Sequence, residues 1–127
     1  MKKVKKIAVV VKTPVWMPFD TSRFVQETGH LDAFKSGAYL LLMCRYWAYG
    51  PLRDDSSELA VIARVDIDTW STISGSVMRF FRKGSDGLWY HDAIDVMREG
   101  EIKKRQMYKA RGRRAAEVRW GRKENVA

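Results

Sequence analysis

Three side chains that could take part in acid–base or metal chemistry lie close together, at His91, Asp92 and Asp95. One histidine with two neighbouring carboxylates falls below what most metal sites require. Asp92 is instead expected to cap a helix, and Asp95 to lie favourably near the N-terminus of that helix. We therefore assign these three residues to structure.

The rest of the sequence offers no convincing catalytic group. Cys44 and the serines lie outside any nucleophile motif, His30 stands apart from other catalytic residue types, and no glycine-rich phosphate loop is found. A single cysteine cannot form an internal disulfide, and two histidines with one cysteine cannot build an ordinary structural zinc site. A hydrolase or nuclease would need convergent carboxylates that the sequence does not reveal. We predict no enzyme, no catalytic residue, no metal site and no cofactor.

The strongest sign of a ligand is the stretch KARGRRAAEVRWGRK at residues 109–123. Its cations could each neutralise a phosphate, and Trp120 could stack on an exposed base. The cations are Lys109, Arg111, Arg113, Arg114, Arg119, Arg122 and Lys123. Alternating Ala and Arg favours a helix that forms once the charge is neutralised. The alternative is a disordered basic end that only raises solubility, and contact with a polyanion is the favoured interpretation.

The net charge of +9 is concentrated at the two ends of the chain. Residues 1–12 carry five lysines and no acid, residues 13–97 have a net charge of −3, and residues 98–127 have a net charge of +7. Such segregation suggests an anionic partner for the ends. We expect a basic N-terminal extension over residues 1–13, a single folded domain over 14–106 and a basic tail over 107–127.

Apolar periodicity predicts the elements that position these residues. Four helices are expected, each starting at or near an aspartate able to cap it, namely Asp32, Asp55, Asp66 and Asp92. Gly50 and Pro51 end the first of them, in which Phe34, Ala38 and Tyr46 recur at helical spacing. Between the third and fourth helices, RFFRK and LWYHD flank a turn at residues 84–87, which predicts a hairpin.

This order predicts a mainly α protein with a small β-hairpin, of the winged helix-turn-helix type. In that fold the third helix usually reads the major groove and the hairpin is the wing. The candidate DNA-binding residues on the polar face of the third helix are Thr69, Thr72, Ser76 and Arg79. Arg82 and Lys83 of the hairpin could straddle a phosphate backbone. An ordinary solvated surface is the alternative for both groups, and Asp66, Asp68 and Asp86 would repel phosphate.

The sequence resembles the YdaU-like prophage proteins, a domain family with no assigned biochemical activity. The shared pieces run from residue 16 to residue 121 and include WMPF at 16–19, GAY at 37–39, YW at 46–47, GPL at 50–52, Trp70, FF at 80–81, Trp89, His91 and RWG at 119–121. The resemblance implies kinship with phage replication proteins, in which a winged-helix part binds DNA and a C-terminal part recruits the replication machinery. It implies no catalytic or binding residues.

We predict a cytoplasmic, non-enzymatic protein that binds DNA in phage DNA replication or its control. No stretch approaches the roughly 18 continuous apolar residues that cross a membrane, so no membrane partner is expected. The alternative function is a replisome adaptor that recruits a helicase or a helicase loader through the acids Asp54, Asp55 and Glu58. Neither the DNA sequence preference nor the oligomeric state follows from the sequence.

Overall fold

The computed structural model of the protein describes residue 13 and residues 15–125, with side chains described as far as Gly121. It is mainly helical with one small antiparallel hairpin, as predicted. The elements are α1 (Thr21–Glu27), α2 (Ala33–Tyr49), α3 (Ser56–Ala63), α4 (Ile67–Val77), a 3-10 turn (Met78–Phe80), β1 (Arg82–Lys83), β2 (Trp89–Tyr90) and α5 (Asp92–Asn125). In the hairpin, Arg82 pairs with Tyr90 and Lys83 with Trp89.

Aspartate side chains begin the first four helices by accepting hydrogen bonds from backbone N–H groups that have no partner within the helix. Their carboxylates lie 2.7–3.3 Å from the bonded nitrogens, and the capping residues are Asp20, Asp32, Asp55 and Asp66. The caps predicted at Asp32, Asp55 and Asp66 are therefore confirmed. Helix α2 ends as predicted at Gly50, whose φ of 86° is a conformation that glycine adopts without strain.

The start of α5 differs from the prediction, because His91 and not Asp92 caps this helix. The backbone N–H of Ile94 donates to Nδ1 of His91 at 3.2 Å, and the N–H of Asp95 donates to the His91 carbonyl at 2.9 Å. Asp92 is already inside the helix and pairs with Arg82. The capping position is buried, and a neutral imidazole is cheaper to desolvate there than a carboxylate.

Helix α2 lies at the centre of the core and packs against α3, α4 and the first turns of α5. Its buried side chains are Ala38, Tyr39, Leu42, Met43, Tyr46 and Trp47. Phe34 was predicted to continue this stripe, but it is 53% exposed and lies outside the core. Burying each large apolar side chain contributes about 1.5–3 kcal/mol, so this helix supplies much of the driving force for folding.

Three hydrogen bonds join α5 to α2. The Tyr46 hydroxyl donates to Oδ1 of Asp95 at 2.7 Å, the Tyr39 hydroxyl lies 2.8 Å from Nε2 of His91, and Nε of Arg98 donates to the Trp47 carbonyl at 3.1 Å. Burial raises the pKa of both tyrosine hydroxyls well above the usual value. The first two turns of α5 are thereby fixed against the core.

None of the described helices is both long enough and apolar enough to cross a membrane. Helix α5 has the length, but its second half is dense in Arg and Lys.

The Tyr46→Phe substitution should lower the free energy of unfolding by about 1–3 kcal/mol, because Asp95 then lacks its hydroxyl donor in a half-buried position. Urea unfolding followed by tryptophan fluorescence measures this loss. Tyr49→Phe is the matched control, since Tyr49 is 62% exposed, and it should change stability by less than about 0.5 kcal/mol. Equal effects of the two substitutions would contradict this role of Tyr46.

Acidification should destabilise the fold through His91. Burial lowers the pKa of the imidazole in the folded protein, and a proton on Nδ1 would abolish the cap to Ile94. The unfolded chain therefore binds the proton more readily, and stability that is complete above about pH 6.5 falls as the pH drops, by at most about 1.4 kcal/mol per pH unit.

Unfolding measured at pH 7.5 and pH 5.5 tests this linkage in the wild type and in His91→Asn. Asparagine caps helices well but does not titrate, so the variant should lose less stability on acidification, although it is less stable at both pH values. His30→Asn, at an exposed imidazole, is the control and should keep the wild-type pH dependence. An unchanged pH dependence in His91→Asn would exclude His91 as the responsible group.

Candidate nucleic-acid interface

Helix α5 continues far beyond the core. Its 34 residues correspond to a length of about 51 Å, and no break marks the boundary predicted at residue 106. Met97 packs against the core, and Glu101 and Ile102 are still half-buried. From Lys103 to Gly121 most side chains are exposed, and we call this part of α5 the basic segment.

The basic segment carries eight Arg or Lys residues and one acid, Glu117. Five of the predicted phosphate-binding cations have exposed side chains, and none of them forms an ion pair within the described part of the chain: Lys109, Arg111, Arg113, Arg114 and Arg119. Trp120 is 64% exposed. The backbones of Arg122 and Lys123 continue the helix, but their side chains lie outside the described residues.

The basic segment has little intrinsic reason to be a stable helix in the absence of a partner. Alanines favour the helix, but Gly112 in its interior costs about 1 kcal/mol relative to alanine. Arg105, Lys109 and Arg113 follow one another at intervals of four residues, and each such like-charge pair costs roughly 0.2–0.5 kcal/mol. A polyanion that neutralises these cations therefore stabilises the helix as it binds.

The two cations of the hairpin are held by carboxylates of the same chain. Arg82 donates to Asp92 at 2.9 Å and lies over the Tyr90 ring at 5.2 Å. Lys83 pairs with Asp54 and lies 5.2 Å from the centre of the Trp89 ring. The hydrogen bond from Arg82 lowers the pKa of Asp92, and that from Lys83 lowers the pKa of Asp54. A phosphate would have to displace these carboxylates.

The predicted reader helix, α4, presents a mixed surface. Thr72 is exposed, whereas Thr69 and Ser76 are half-buried. Arg79 is exposed too, but it lies in the 3-10 turn after the helix and not on the helix as predicted. The Thr72 hydroxyl donates to the Asp68 carbonyl at 3.2 Å, so it is bonded within the helix. Hydrogen bonding from Thr69 lowers the pKa of Asp66, which keeps this carboxylate ionised at the end of α4 that groove-reading helices usually present.

The acids predicted to dock a replisome protein are also engaged within the chain. Asp54 accepts from Nε1 of Trp89 at 3.1 Å in addition to its contact with Lys83. Asp55 caps α3, and Glu58 pairs with Arg53 at 3.4 Å. These carboxylates lie on the surface, but much of their charge is balanced locally.

A cavity of about 330 Å³ between α1, α2 and the start of α5 was not predicted. Its lining is largely apolar and includes Phe19, Phe24, Met43, Ile94 and Met97, with His91 also lining it. Its lining residues come from three separate stretches of the chain, so no local sequence motif signals the cavity. Among the described residues, no group of three or more His, Cys, Asp or Glu is arranged to hold a metal ion.

The lysine-rich N-terminal residues join the body close to the base of the basic segment. Residues 1–12 lie outside the described part, but the Thr13 hydroxyl donates to the Trp47 carbonyl at 3.0 Å. Arg98 of α5 donates to this same oxygen. The chain therefore passes from its N-terminal lysines into the body next to the point where α5 leaves the core.

Residues 15–97 match the family model described as "Protein of unknown function (DUF1376)". The chain belongs to this family. It is also 31% identical, over 118 residues, to "Uncharacterized protein YdaU" of Escherichia coli (strain K12), which confirms the resemblance to YdaU-like proteins. The aligned region is 92% of this chain but 40% of the relative, so the chain spans well under half the length of that protein. No solved structure matches the chain.

The family match ends at Met97, which packs against the core just before the last contacts of α5 with the body. The DUF1376 model thus describes the folded body, and the basic segment lies beyond it.

A chain that ends at Gln106 should keep the free energy of unfolding of the full chain to within about 0.5 kcal/mol, because the removed described residues do not belong to the core. Chemical unfolding followed by tryptophan fluorescence provides the measurement. For contrast, Arg98→Ala removes the bond to the Trp47 carbonyl and should cost about 1–2 kcal/mol. A large loss on truncation would show that the basic segment packs on the body.

Proposed function

We propose that this DUF1376 protein is a cytoplasmic, non-enzymatic DNA-binding protein that acts in phage DNA replication or its control. The observation that carries the proposal is the set of five exposed cations of the basic segment that form no ion pair with any described residue, next to a body whose hairpin cations are paired. Cations that are already paired with a carboxylate gain less from a phosphate, because the existing pair must be broken, whereas unpaired cations can neutralise phosphates and release counterions from DNA.

In this proposal the body is a winged-helix domain, as the succession of α2, α3, α4, hairpin and α5 suggests. Thr72 of α4 and Arg79 of the 3-10 turn that follows it would orient the protein on the duplex, and the basic ends would supply most of the affinity. The lysines of residues 1–12 support this division, because the chain enters the body beside the base of the basic segment. The carboxylates of Asp66 and Asp68 at the start of α4 repel phosphate, so α4 would contribute less to DNA affinity than the basic ends.

A second candidate function is a replisome adaptor that recruits a helicase or a helicase loader. It is favoured by apolar side chains exposed near α1, among them Trp16 at 74% and Val25 at 67%, beside the apolar cavity. The acids Asp54, Asp55 and Glu58 remain the charged surface predicted for such a partner. Co-purification with a helicase or loader that survives nuclease treatment would distinguish this function from DNA binding.

Binding to DNA should weaken steeply with salt. If about five phosphates are contacted, the logarithm of the binding constant falls with the logarithm of the salt concentration with a slope of about −4 to −5. Fluorescence anisotropy of labelled DNA across a salt series measures this slope. The double substitution Arg113→Gln and Arg114→Gln should make the slope less negative by about 2, since two phosphate contacts are lost.

The double substitution Arg82→Gln and Lys83→Gln removes the same charge from the hairpin and is the matched control. It should leave the slope nearly unchanged, because these side chains pair with Asp92 and Asp54. Binding that does not depend on salt, or an equal change of slope in both double variants, would reject the basic segment as the source of affinity.

A further inference from the structure

We propose that the basic segment binds as one uninterrupted helix lying in the major groove of B-form duplex DNA. This inference rests on the proposed DNA-binding function and specifies the form of nucleic acid and the groove that the helix occupies.

The dimensions of the basic segment fit that groove. Its 19 described residues span about 28 Å, and it stands clear of the core over this length. Small residues keep the helix narrow, namely Ala110, Gly112, Ala115, Ala116 and Gly121. The major groove of B-form DNA is about 12 Å wide and admits a single α-helix.

The cations are spread around the circumference of the helix. Successive residues turn by about 100°, which places Lys109 and Arg113 on one side and Arg111 and Arg114 on a largely opposite side. Arg119 lies between the two groups. A helix resting on one flat or single-stranded polyanion would direct half of these cations into solvent. In a groove with a phosphate backbone on each side, both groups face phosphates.

The aromatic residues do not favour a single-stranded ligand. Single strands are commonly bound by aromatic side chains on which successive bases stack. The exposed aromatics of the basic segment are Tyr108 and Trp120, which are about 18 Å apart along the axis and about 120° apart around it. They therefore do not form a continuous stacking surface. Duplex RNA is disfavoured as well, because its major groove is too narrow and deep to be read by side chains.

The body fixes the direction in which the basic segment projects. Arg98 is bonded to the Trp47 carbonyl, and Glu101 and Ile102 are half-buried directly before Lys103. Because the helix continues without a break from these residues, the basic segment meets DNA in an orientation that is already set. This anchored start sets the direction in which the helix leaves the body, although it does not by itself keep the whole basic segment helical. A fixed direction reduces the orientational entropy lost on binding a rigid duplex and gives less advantage with a flexible strand.

The test compares the full chain with Gly112→Pro and Gly112→Ala, two variants that keep every charge. Proline interrupts the helix in the middle of the basic segment, whereas alanine strengthens it and meets no neighbouring atom within 4 Å. Anisotropy at fixed salt measures affinity for a DNA duplex, for one of its single strands and for an RNA duplex of the same sequence.

The wild type should bind the DNA duplex at least about tenfold more tightly than the other two nucleic acids. Gly112→Pro should lower duplex affinity by about tenfold but change single-strand affinity by less than about twofold, and Gly112→Ala should increase duplex affinity. A duplex whose major groove is filled by glucosylated hydroxymethylcytosine should bind less tightly. A drug bound in the minor groove should not compete.

Equal or tighter binding to the single strand or to duplex RNA would overturn the major-groove inference, as would duplex affinity that Gly112→Pro leaves unchanged. In those cases salt-dependent binding that Arg113→Gln with Arg114→Gln weakens would still support the proposed function. Absence of salt-dependent binding to all three nucleic acids would overturn the proposed function itself.

Discussion

Attachment of α5 to α2 through buried hydrogen bonds is the constraint on which the rest of the structure depends. The His91 ring caps α5 through Nδ1 and contacts the Tyr39 hydroxyl through Nε2, so one neutral imidazole both starts the helix and holds it to the core. Tyr46 and Arg98 add further bonds one and two turns later. Such partners are required, because a polar group buried without one costs about 1–3 kcal/mol.

Charge is organised around this attachment in two different ways. In the body, carboxylates and cations are paired at short range, as Arg82 is with Asp92 and Lys83 with Asp54. On the basic segment, Lys109, Arg111, Arg113, Arg114 and Arg119 are exposed and form no ion pair among the described residues, and like charges four residues apart repel one another. These exposed cations give the projecting part of α5 a positively charged surface. This separation of paired charges in the body from unpaired cations on α5 supports a DNA-binding function better than the net charge alone does.

Much of the fold could be predicted because its signals are local. Aspartates at Asp32, Asp55 and Asp66 cap helices through neighbouring N–H groups, and the hairpin follows from its turn residues. The cap of α5 was missed because Asp92 and His91 are neighbours in the sequence and either side chain could cap the helix. Only the contact of His91 with Tyr39, 52 residues away, decides between them. The exposure of Phe34 and the pairing of the hairpin cations likewise depend on contacts between distant segments. The cations of the basic segment were identifiable from sequence alone, whereas the unbroken helix that carries them was not.

Continuity of α5 has a geometric consequence for any assembly that the protein enters. Each residue of a helix adds both length and rotation. One residue inserted between Ile102 and Lys109 would therefore rotate the body by about 100° about the helix axis relative to the end of the basic segment. Seven inserted residues would restore the angle to within about 20° but move the body about 10 Å outward. The number of residues between Ile102 and Lys109 thus sets the angle, about the helix axis, between the DUF1376 domain and any ligand bound by the basic segment. This angle does not depend on which side chains make the contact.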